Sequence, residues 1–255
     1  MTVRNSKLPI RAISTFLHQG SRPAQEDFVM GDAARGVFAV ADGFGGPEAG
    51  SNASKTAAEG VREFLIKEAG DLEATLPFVL RTYFSLAGNV LFNALVHANR
   101  KVLSLNRDKG IHEKGGASVI AGFLDGDLLA LASVGGCEAW LLREERAVQL
   151  VTPRAYSRLA DPFGTEKLTT PRFPLMALGI SEDLEPEVWE FRIRPGDWLI
   201  LSTGSMGAFA QGELLARKKE LKDSAKIRSE FPAWLQDQLQ AEDGTANMAS
   251  SLIVF

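Results

Sequence analysis

A short apolar run, residues 37–41 (VFAVA), ends at an aspartate, Asp42, which opens the glycine-rich segment 43–46. A run of this kind predicts a buried strand, and an acid at its end lies where the core holds the backbone rigid while the loop stays hydrated. Two further acids, Glu26 and Asp27, stand upstream beside a predicted turn. Magnesium and manganese ions prefer oxygen ligands, so three acids that converge here would suit such a cation.

The same residues also fit simpler interpretations. Glu26 and Asp27 could be exposed charges or could cap a backbone turn, and Asp42 followed by Gly43 could form a turn of its own. The glycine-rich segment could instead cradle a phosphate before a helix. It lacks the Lys-Ser/Thr pair of a P-loop and the glycine spacing of a dinucleotide-binding fingerprint, so a nucleotide site is the weaker interpretation.

Two segments have the apolar spacing of amphipathic helices. The first covers residues 51–70 and starts at Ser51, a suitable N-cap, and the second covers residues 76–106. A third helical segment, residues 212–239, is polar and is predicted to be interrupted at Pro232. The chain is therefore expected to have two long helices in its first half and one broken helix near its end.

Apolar runs typical of strands precede and follow the two long helices. The Asp-Gly pair at residues 125–126 predicts a hairpin between two of them. The runs are residues 11–17, 28–30, 37–41, 119–124, 128–134, 139–142, 147–151, 188–193, 198–202 and 250–255. Strands, then helices, then many strands predict an α+β layered domain with an antiparallel sheet core. No repeat or linker divides the chain, so residues 1–255 are predicted to form one domain.

The composition argues against several classes of function. The formal net charge of -4 gives no electrostatic footprint for nucleic acid. A lone cysteine, Cys137, excludes an internal disulfide and a multi-cysteine zinc site. No apolar run approaches the roughly 18 residues that span a bilayer, and the N-terminus is too polar for a signal peptide. We therefore expect a cytoplasmic protein that has neither a nucleic acid nor a membrane as its partner.

Six segments, taken in order, are similar to the motifs of one family. Residues 22–27 read R-x-x-Q-E-D against the motif R-x-x-N-E-D, and residues 38–46 are similar to V-x-D-G-[MH]-G-G, with Phe44 in place of the methionine or histidine. Residues 116–118 stand at the position of the motif G-T-T, and residues 134–140 at the position of V-G-D-S-R-x-Y. Residues 194–202 resemble the strand that leads to the motif S-D-G, and residues 246–249 stand at the position of D-N-x-T. Over nearly its whole length the chain thus resembles the PPM-type (protein phosphatase 2C-like) metal-dependent Ser/Thr phosphatases. That resemblance implies a four-layer α-β-β-α sandwich with central antiparallel β-sheets.

The resemblance also implies roles for residues in the first two segments. In such enzymes two cations share one aspartate and activate a bridging water that attacks the phosphoester. By position, Asp42 would be the shared ligand and the Gly43 carbonyl a ligand of the first ion. Glu26 and Asp27 would hold the water shell of that ion. Arg22 would bind the substrate phosphate through its bidentate fork.

The aspartates that would hold the second cation are absent. Three positions at which the family has an aspartate are occupied here by Thr203, Ala246 and Gly136. Hard cations need anionic oxygen ligands, so a hydroxyl and a methyl group cannot offset the desolvation of a second dication. Asp243, just before Ala246, is the candidate substitute. We therefore predict no full dinuclear centre, and at most one weakly bound magnesium or manganese ion near Asp42.

A preserved first half and a degenerate second half of the metal centre predict a pseudophosphatase that binds a phosphoprotein or a regulatory protein partner. Two alternatives stay open. One is a divergent but active manganese- or magnesium-dependent phosphoprotein phosphatase, which would recruit Asp243 or other acids as ligands. The other is a purely structural interaction module, in which Glu26, Asp27 and Asp42 are only turn acids.

Overall fold

A computed structural model of the chain describes residues 10–68, 80–156, 173–204, 211–241 and 246–255. The helices are α1 (Pro47–Glu68), α2 (Leu86–Leu105), α3 (Gln211–Glu220) and α4 (Ser224–Ala241), and a short 3-10 helix covers Ile111–Glu113. The strands are β1 (Ala12–His18), β2 (Asp27–Asp32), β3 (Val37–Phe44), β4 (Gly116–Asp125), β5 (Leu128–Val134), β6 (Glu138–Arg143), β7 (Arg146–Val151), β8 (Glu187–Arg192), β9 (Trp198–Ser202) and β10 (Met248–Val254). Every predicted strand is present, with ends that differ by a few residues.

The strands form two antiparallel sheets of five strands each. Sheet A has the order β1-β10-β9-β6-β7, and sheet B has the order β2-β3-β4-β5-β8. The β4–β5 hairpin turns at Gly126, whose φ of 63° lies in the left-handed region that glycine adopts without strain. The hairpin predicted from the Asp-Gly pair is therefore confirmed. The last strand, β10, lies between β1 and β9, so the end of the chain belongs to the core of sheet A.

Three apolar layers hold the sheets and helices together. Helices α1 and α2 cover sheet B through residues such as Ala57 and Leu91. Helices α3 and α4 cover sheet A through residues such as Leu214 and Phe231. The two sheets face each other across a third layer, which includes Phe38. The order of layers is α-β-β-α, which confirms the predicted α+β sandwich.

Helix α2 begins later than its apolar spacing predicted. The prediction of a helix over residues 76–106 is wrong for residues 80–85, which are not helical. Ser85 is the N-cap: its hydroxyl accepts a hydrogen bond from the N–H of Gly88 (3.1 Å), and its own N–H donates to the carboxylate of Glu190 on β8 (3.1 Å). A Cβ at Gly88 would lie 2.5 Å from that carboxylate. A contact with a distant strand therefore fixes the start of the helix.

The ends of the other helices also differ from the prediction. Helix α1 starts at Pro47 and not at Ser51, because proline fits the first helical turn, where its missing N–H is not needed. The predicted helix over residues 212–239 is two helices. Asp223 caps the second, since its carboxylate accepts from two N–H groups of the first turn (2.8 and 3.1 Å), whereas Pro232 lies inside α4. Among the described residues, no helix combines the length and apolar character needed to cross a membrane.

The register of sheet B places three polar side chains at one end of the layer between the sheets. Asp27 on β2 pairs with Asp42 on β3, which pairs with Ser118 on β4. Paired residues of antiparallel strands point to the same face. That face also carries Phe38 and Ile120, which lie in the layer between the sheets. The apolar layer therefore ends in a polar row, Asp27–Asp42–Ser118, that faces sheet A.

Packing between the sheets requires a glycine at position 122. Gly122 on β4 pairs with Phe38 on β3, and a Cβ at Gly122 would overlap the Phe38 ring. We expect Gly122→Ala to lower the free energy of unfolding, measured by urea denaturation, by about 1–3 kcal/mol, the usual effect of overpacking. Gly212→Ala is the matched control, because a Cβ at this exposed helical glycine meets nothing within 4 Å and should be neutral or stabilising. Equal stability of the Gly122→Ala variant and the wild type would contradict this packing.

Candidate functional site

Asp27 and Asp42 lie side by side because β2 and β3 pair at these residues. Asp27 is buried, with 5% of its surface exposed, and Asp42 is half-buried. Strand β3 continues through Asp42 and Gly43 to Phe44, so the predicted site aspartate lies within a strand rather than in a turn. Two neighbouring carboxyl groups with little access to water repel each other when both are ionised. The pair therefore needs a cation, a proton or a hydrogen-bond donor.

Thr203, which directly follows β9 in the opposite sheet, supplies a hydrogen-bond donor. Its hydroxyl donates to Oδ2 of Asp27 (2.7 Å) and accepts from the backbone N–H of Ala249 on β10 (2.8 Å). The backbone N–H of Thr203 in turn donates to the carbonyl of Ala249 (3.0 Å). Thr203 thus connects the first residue of β2, in sheet B, with β10 in sheet A.

The surroundings of Asp27 change its acidity. Burial, followed by the charge of Asp42, raises the pKa of Asp27 from 3.8 to about 8. The hydrogen bonds from Thr203 and from the backbone of Ala249 act in the opposite direction and are outweighed. When no cation is bound, Asp27 is therefore mostly protonated at neutral pH, and its proton relieves the repulsion with Asp42.

Asn247 anchors the backbone on which the acids lie. Its side-chain oxygen accepts a hydrogen bond from the N–H of Glu26 (2.8 Å), and its amide group donates to the carbonyls of Gln19 (2.7 Å) and Ala24 (3.1 Å). The segment before β2 is thereby fixed to the start of β10. Sequence reasoning assigned no role to Asn247. The sequence feature that could have identified Asn247 is its position in the segment 246–249, which resembles the motif D-N-x-T.

Glu26 directs its side chain toward the first turn of α1. Its Oε1 lies so close to the place of a Cβ on Gly50 that a larger residue would not fit there. This oxygen is buried without a hydrogen-bond partner among the described residues. The backbone carbonyl of Glu26 is held by the hydroxyl of Ser54 (2.5 Å) and the N–H of Gly43 (3.2 Å). Oδ1 of Asp27 is likewise buried and unpartnered within the described ranges. Buried polar atoms normally have partners, so these two oxygens are available to a ligand.

Arg22 lies in the exposed loop between β1 and β2. Its backbone carbonyl accepts from the side chain of Gln19 (2.9 Å), which holds the loop in place. Within the part of the chain that the structure describes, no hydrogen bond or ion pair involves the Arg22 guanidinium. The arginine predicted to bind phosphate is therefore exposed, and its guanidinium donors are not used by other described residues.

Ser118 and Cys137 belong to the centre but were not predicted as site residues. Oγ of Ser118 is buried, lacks a partner among the described residues and lies near Gly136, 3.7 Å from the place of a Cβ. Cys137 is fully buried; burial, with the charges of Asp42 and Asp27, raises the pKa of its thiol well above its ordinary value. The thiol is therefore uncharged. The sequence feature that could have identified them is their position in the motif-like segments: Ser118 in the segment similar to G-T-T, and Cys137 in the segment similar to V-G-D-S-R-x-Y.

The remaining predicted positions contribute no ligand in the described structure. Gly136 lies next to the polar row but has no side chain to offer. Ala246 is exposed and directly precedes Asn247. Asp243, the predicted substitute, lies outside the described residues, so its role stays a prediction.

An open groove of about 440 Å³ lies beside the loop that follows Asp42. It runs between the start of α1 and the segment around the 3-10 helix. Its walls are formed by Gly45, Gly46, Pro47, Glu48, Ala49, Lys109 and Glu113. A groove of this size has room for a few residues of an extended peptide.

The residues at the centre do not fit a two-cation site. In the described ranges, no three His, Cys, Asp or Glu side chains are grouped so that they could hold a metal ion. Thr203, at a position where the family has an aspartate, presents a hydroxyl donor to Asp27 and carries no charge. Oε1 of Glu26 and Oδ1 of Asp27 are buried without a hydrogen-bond partner in these ranges, but with Asp42 they do not form such a group. The geometry of these residues is that of a polar contact between the two sheets.

The raised pKa of Asp27 predicts that stability depends on pH. Between the unfolded value of 3.8 and the folded value of about 8, the folded state keeps a proton that the unfolded state has lost. The stabilisation is therefore complete below the unfolded pKa and is lost as the pH rises through the folded pKa. We expect urea denaturation in EDTA to give a lower free energy of unfolding near pH 8 than near pH 5. The variant Asp27→Asn should lose most of this difference.

Asp32, on the same strand, provides the control. Burial acts to raise its pKa, but the hydrogen bonds and charge of Arg35 outweigh this and lower it. Asp32 is therefore ionised across this pH range in both the folded and the unfolded state. Asp32→Asn should keep the pH dependence of the wild type. A pH dependence that survives in Asp27→Asn would show that another group causes it.

No protein-family model matches the sequence, and no curated protein matches it. Solved structures do match. The PPM Ser-Thr phosphatase MsPP from Mycobacterium smegmatis, in complex with cacodylate, is 19% identical with a TM-score of 0.72, covering 97% of this chain and 99% of its own. The catalytic domain of the phosphatase PstP, in complex with two manganese ions, is 19% identical with a TM-score of 0.74, covering 95% and 98%. Stp1 from Staphylococcus aureus is 16% identical with a TM-score of 0.72, covering 100% and 99%. At this identity such similarity defines a fold and not an activity: the chain has the fold of the PPM-type Ser/Thr phosphatases.

Proposed function

We propose that this PPM-type phosphatase-like domain is a pseudophosphatase, which has lost its second metal site and acts by binding a phosphoprotein or a regulatory protein partner. The observation that carries the proposal is the 2.7 Å hydrogen bond from the Thr203 hydroxyl to Asp27. The family resemblance implies an aspartate ligand of the second cation at this position. In this chain the position is occupied by the uncharged Thr203, whose hydroxyl hydrogen points at Asp27.

A hydroxyl donor has the opposite electrostatic character from a carboxylate ligand. A dication beside Asp27 would face the hydrogen of the Thr203 hydroxyl, and Ala246 has no side-chain oxygen to offer. Hard ions bind where several anionic oxygens converge, because only these offset the loss of hydration. We therefore propose that no dinuclear centre forms. A single magnesium or manganese ion would bind near Asp42 only weakly.

Recognition of a phosphate does not require the second cation. A guanidinium carries planar pairs of N–H donors that match two oxygens of a phosphate, and the Arg22 side chain is exposed and unpaired within the described ranges. The groove at the start of α1 has room for a few residues of an extended peptide. These two features support a phosphorylated segment of a protein as the ligand.

One observation favours a second candidate, a divergent but active manganese- or magnesium-dependent phosphatase. Oε1 of Glu26 and Oδ1 of Asp27 are buried without partners among the described residues, which leaves carboxylate oxygens in this region for a cation. Such an enzyme would need a further acid to replace the aspartate lost at Thr203. Asp243 is the predicted substitute.

The pseudophosphatase proposal predicts that manganese does not stimulate turnover. Purified protein would be given p-nitrophenyl phosphate and a phosphothreonine peptide, in manganese and in EDTA, and we expect no turnover above background in either. The matched variant Thr203→Asp/Ala246→Asp should bind manganese more tightly than the wild type in titration calorimetry, because it restores two carboxylates. Turnover by the wild type that manganese stimulates and Asp42→Asn removes would establish the active enzyme instead.

Binding of a phosphopeptide is predicted to depend on Arg22. Arg22→Gln removes the charge and the bidentate donors, so the affinity for a phosphothreonine peptide, measured by fluorescence anisotropy, should fall roughly 10- to 100-fold. Arg35→Gln is the matched control, since Arg35 is an exposed arginine paired with Asp32 (3.0 Å) at the opposite end of β2. It should bind like the wild type. Equal affinity of the wild type for phosphorylated and unphosphorylated peptides would favour the purely structural module.

A further inference from the structure

The two sheets meet largely through apolar side chains, and Thr203 lies at one end of this layer. The layer between them includes Phe38, Val40, Ile120, Leu199, Leu201 and Ile253. Asp27 enters this end from sheet B with 5% of its surface exposed, and Thr203 enters from sheet A with 9% exposed. A polar group buried at such a place costs stability unless it has a hydrogen-bond partner. The contact between Asp27 and Thr203 therefore matters for how the sheets join.

The contacts of the Thr203 hydroxyl determine where its hydrogen points. The Ala249 N–H can only donate, and at 2.8 Å it uses a lone pair of the hydroxyl oxygen. The hydroxyl hydrogen then has two acceptors within reach, Oδ2 of Asp27 at 2.7 Å and the Ala249 carbonyl at 3.3 Å. The Ala249 carbonyl already accepts from the backbone N–H of Thr203 (3.0 Å), and the contact with Asp27 is shorter. One hydroxyl is therefore bonded to both sheets.

A second neutral link lies beside the first. Asn247, directly before β10 of sheet A, accepts a hydrogen bond from the N–H of Glu26, directly before β2 of sheet B (2.8 Å). Both links join the starts of the same two strands. Both use uncharged side chains and need no ion. Among the described residues, these two hydrogen-bonded links join the sheets at the end of the sandwich where the family resemblance implies cations.

We infer that Thr203 acts as a polar clasp, a single hydroxyl that joins Asp27 of sheet B to Ala249 of sheet A in place of a cation, so that the fold is stable without divalent metal. The inference rests on the proposed loss of the second cation, but not on the proposed binding of a phosphoprotein. The clasp explains why a threonine suits this position. A valine would leave two buried polar groups without a partner, and an aspartate would place a second anion beside Asp27 that only a cation or a proton could relieve.

Thermal unfolding of the whole chain and three variants, each in EDTA and in manganese, tests the clasp. The manganese concentration is the lowest that saturates the double variant Thr203→Asp/Ala246→Asp in the calorimetric titration. Wild-type protein should melt at the same temperature in both solutions. Thr203→Val, close in shape but without the hydroxyl, should melt roughly 3–10 °C lower in both. Thr203→Ser keeps the hydroxyl and should stay within about 3 °C of the wild type. Thr203→Asp should melt below the wild type in EDTA and recover in manganese.

Three outcomes would overturn the clasp: a wild-type melting temperature that falls in EDTA, a Thr203→Val variant that melts like the wild type, or a Thr203→Ser variant as unstable as Thr203→Val. If Thr203→Val does not fold, a folded Thr203→Ser supports the clasp and an unfolded one rejects it. The proposed function fails separately. A wild type that melts as expected but does not prefer the phosphorylated peptide retains the clasp and loses the phosphoprotein ligand.

Discussion

Two carboxyl groups held side by side where little water reaches them are the constraint on which this end of the sandwich depends. The pairing of β2 with β3 places Asp27 against Asp42, and burial makes two charges there unfavourable. Three physical solutions exist: a cation that both acids bind, a proton on one of them, or a donor from the opposite sheet. The structure has the last two. The Asp27 carboxyl has a raised pKa, and the Thr203 hydroxyl donates to it.

The surrounding structure brings that donor within reach. Strands β9 and β10 pair so that Thr203 and Ala249 exchange hydrogen bonds, which fixes the hydroxyl at the end of sheet A. Asn247 holds the opposite chain segment through the N–H of Glu26. The small residue Gly50 in α1 leaves room for the Glu26 carboxylate. The centre is therefore built from backbone positions that several elements hold together.

The strands could be predicted from the sequence because their signal is local. An apolar run reports burial wherever its partner strand lies, and the same holds for the Asp-Gly hairpin. The start of α2 could not be predicted, because Ser85 takes its N-cap geometry together with a hydrogen bond to Glu190 on a distant strand. The residues of the candidate site likewise include some that the sequence could identify and some that it could not. The acids Asp27 and Asp42 stand in recognisable motifs, whereas the hydrogen bond of Thr203 depends on how β2 meets β9 across the two sheets.

A change from carboxylate to hydroxyl at position 203 reverses what the centre requires of its surroundings. A carboxylate there would add an anion to a pair of acids and would make a cation necessary. A hydroxyl adds a donor and makes the cation dispensable, while the backbone hydrogen bonds between Thr203 and Ala249 are of a kind that any residue could make. The loss of a catalytic metal therefore need not weaken the fold. The clasp also leaves Arg22 and the groove at the start of α1 exposed, because neither takes part in joining the sheets. A surface that we propose binds a phosphorylated segment can thus persist on a scaffold that, with the proposed clasp, needs no divalent metal for its stability.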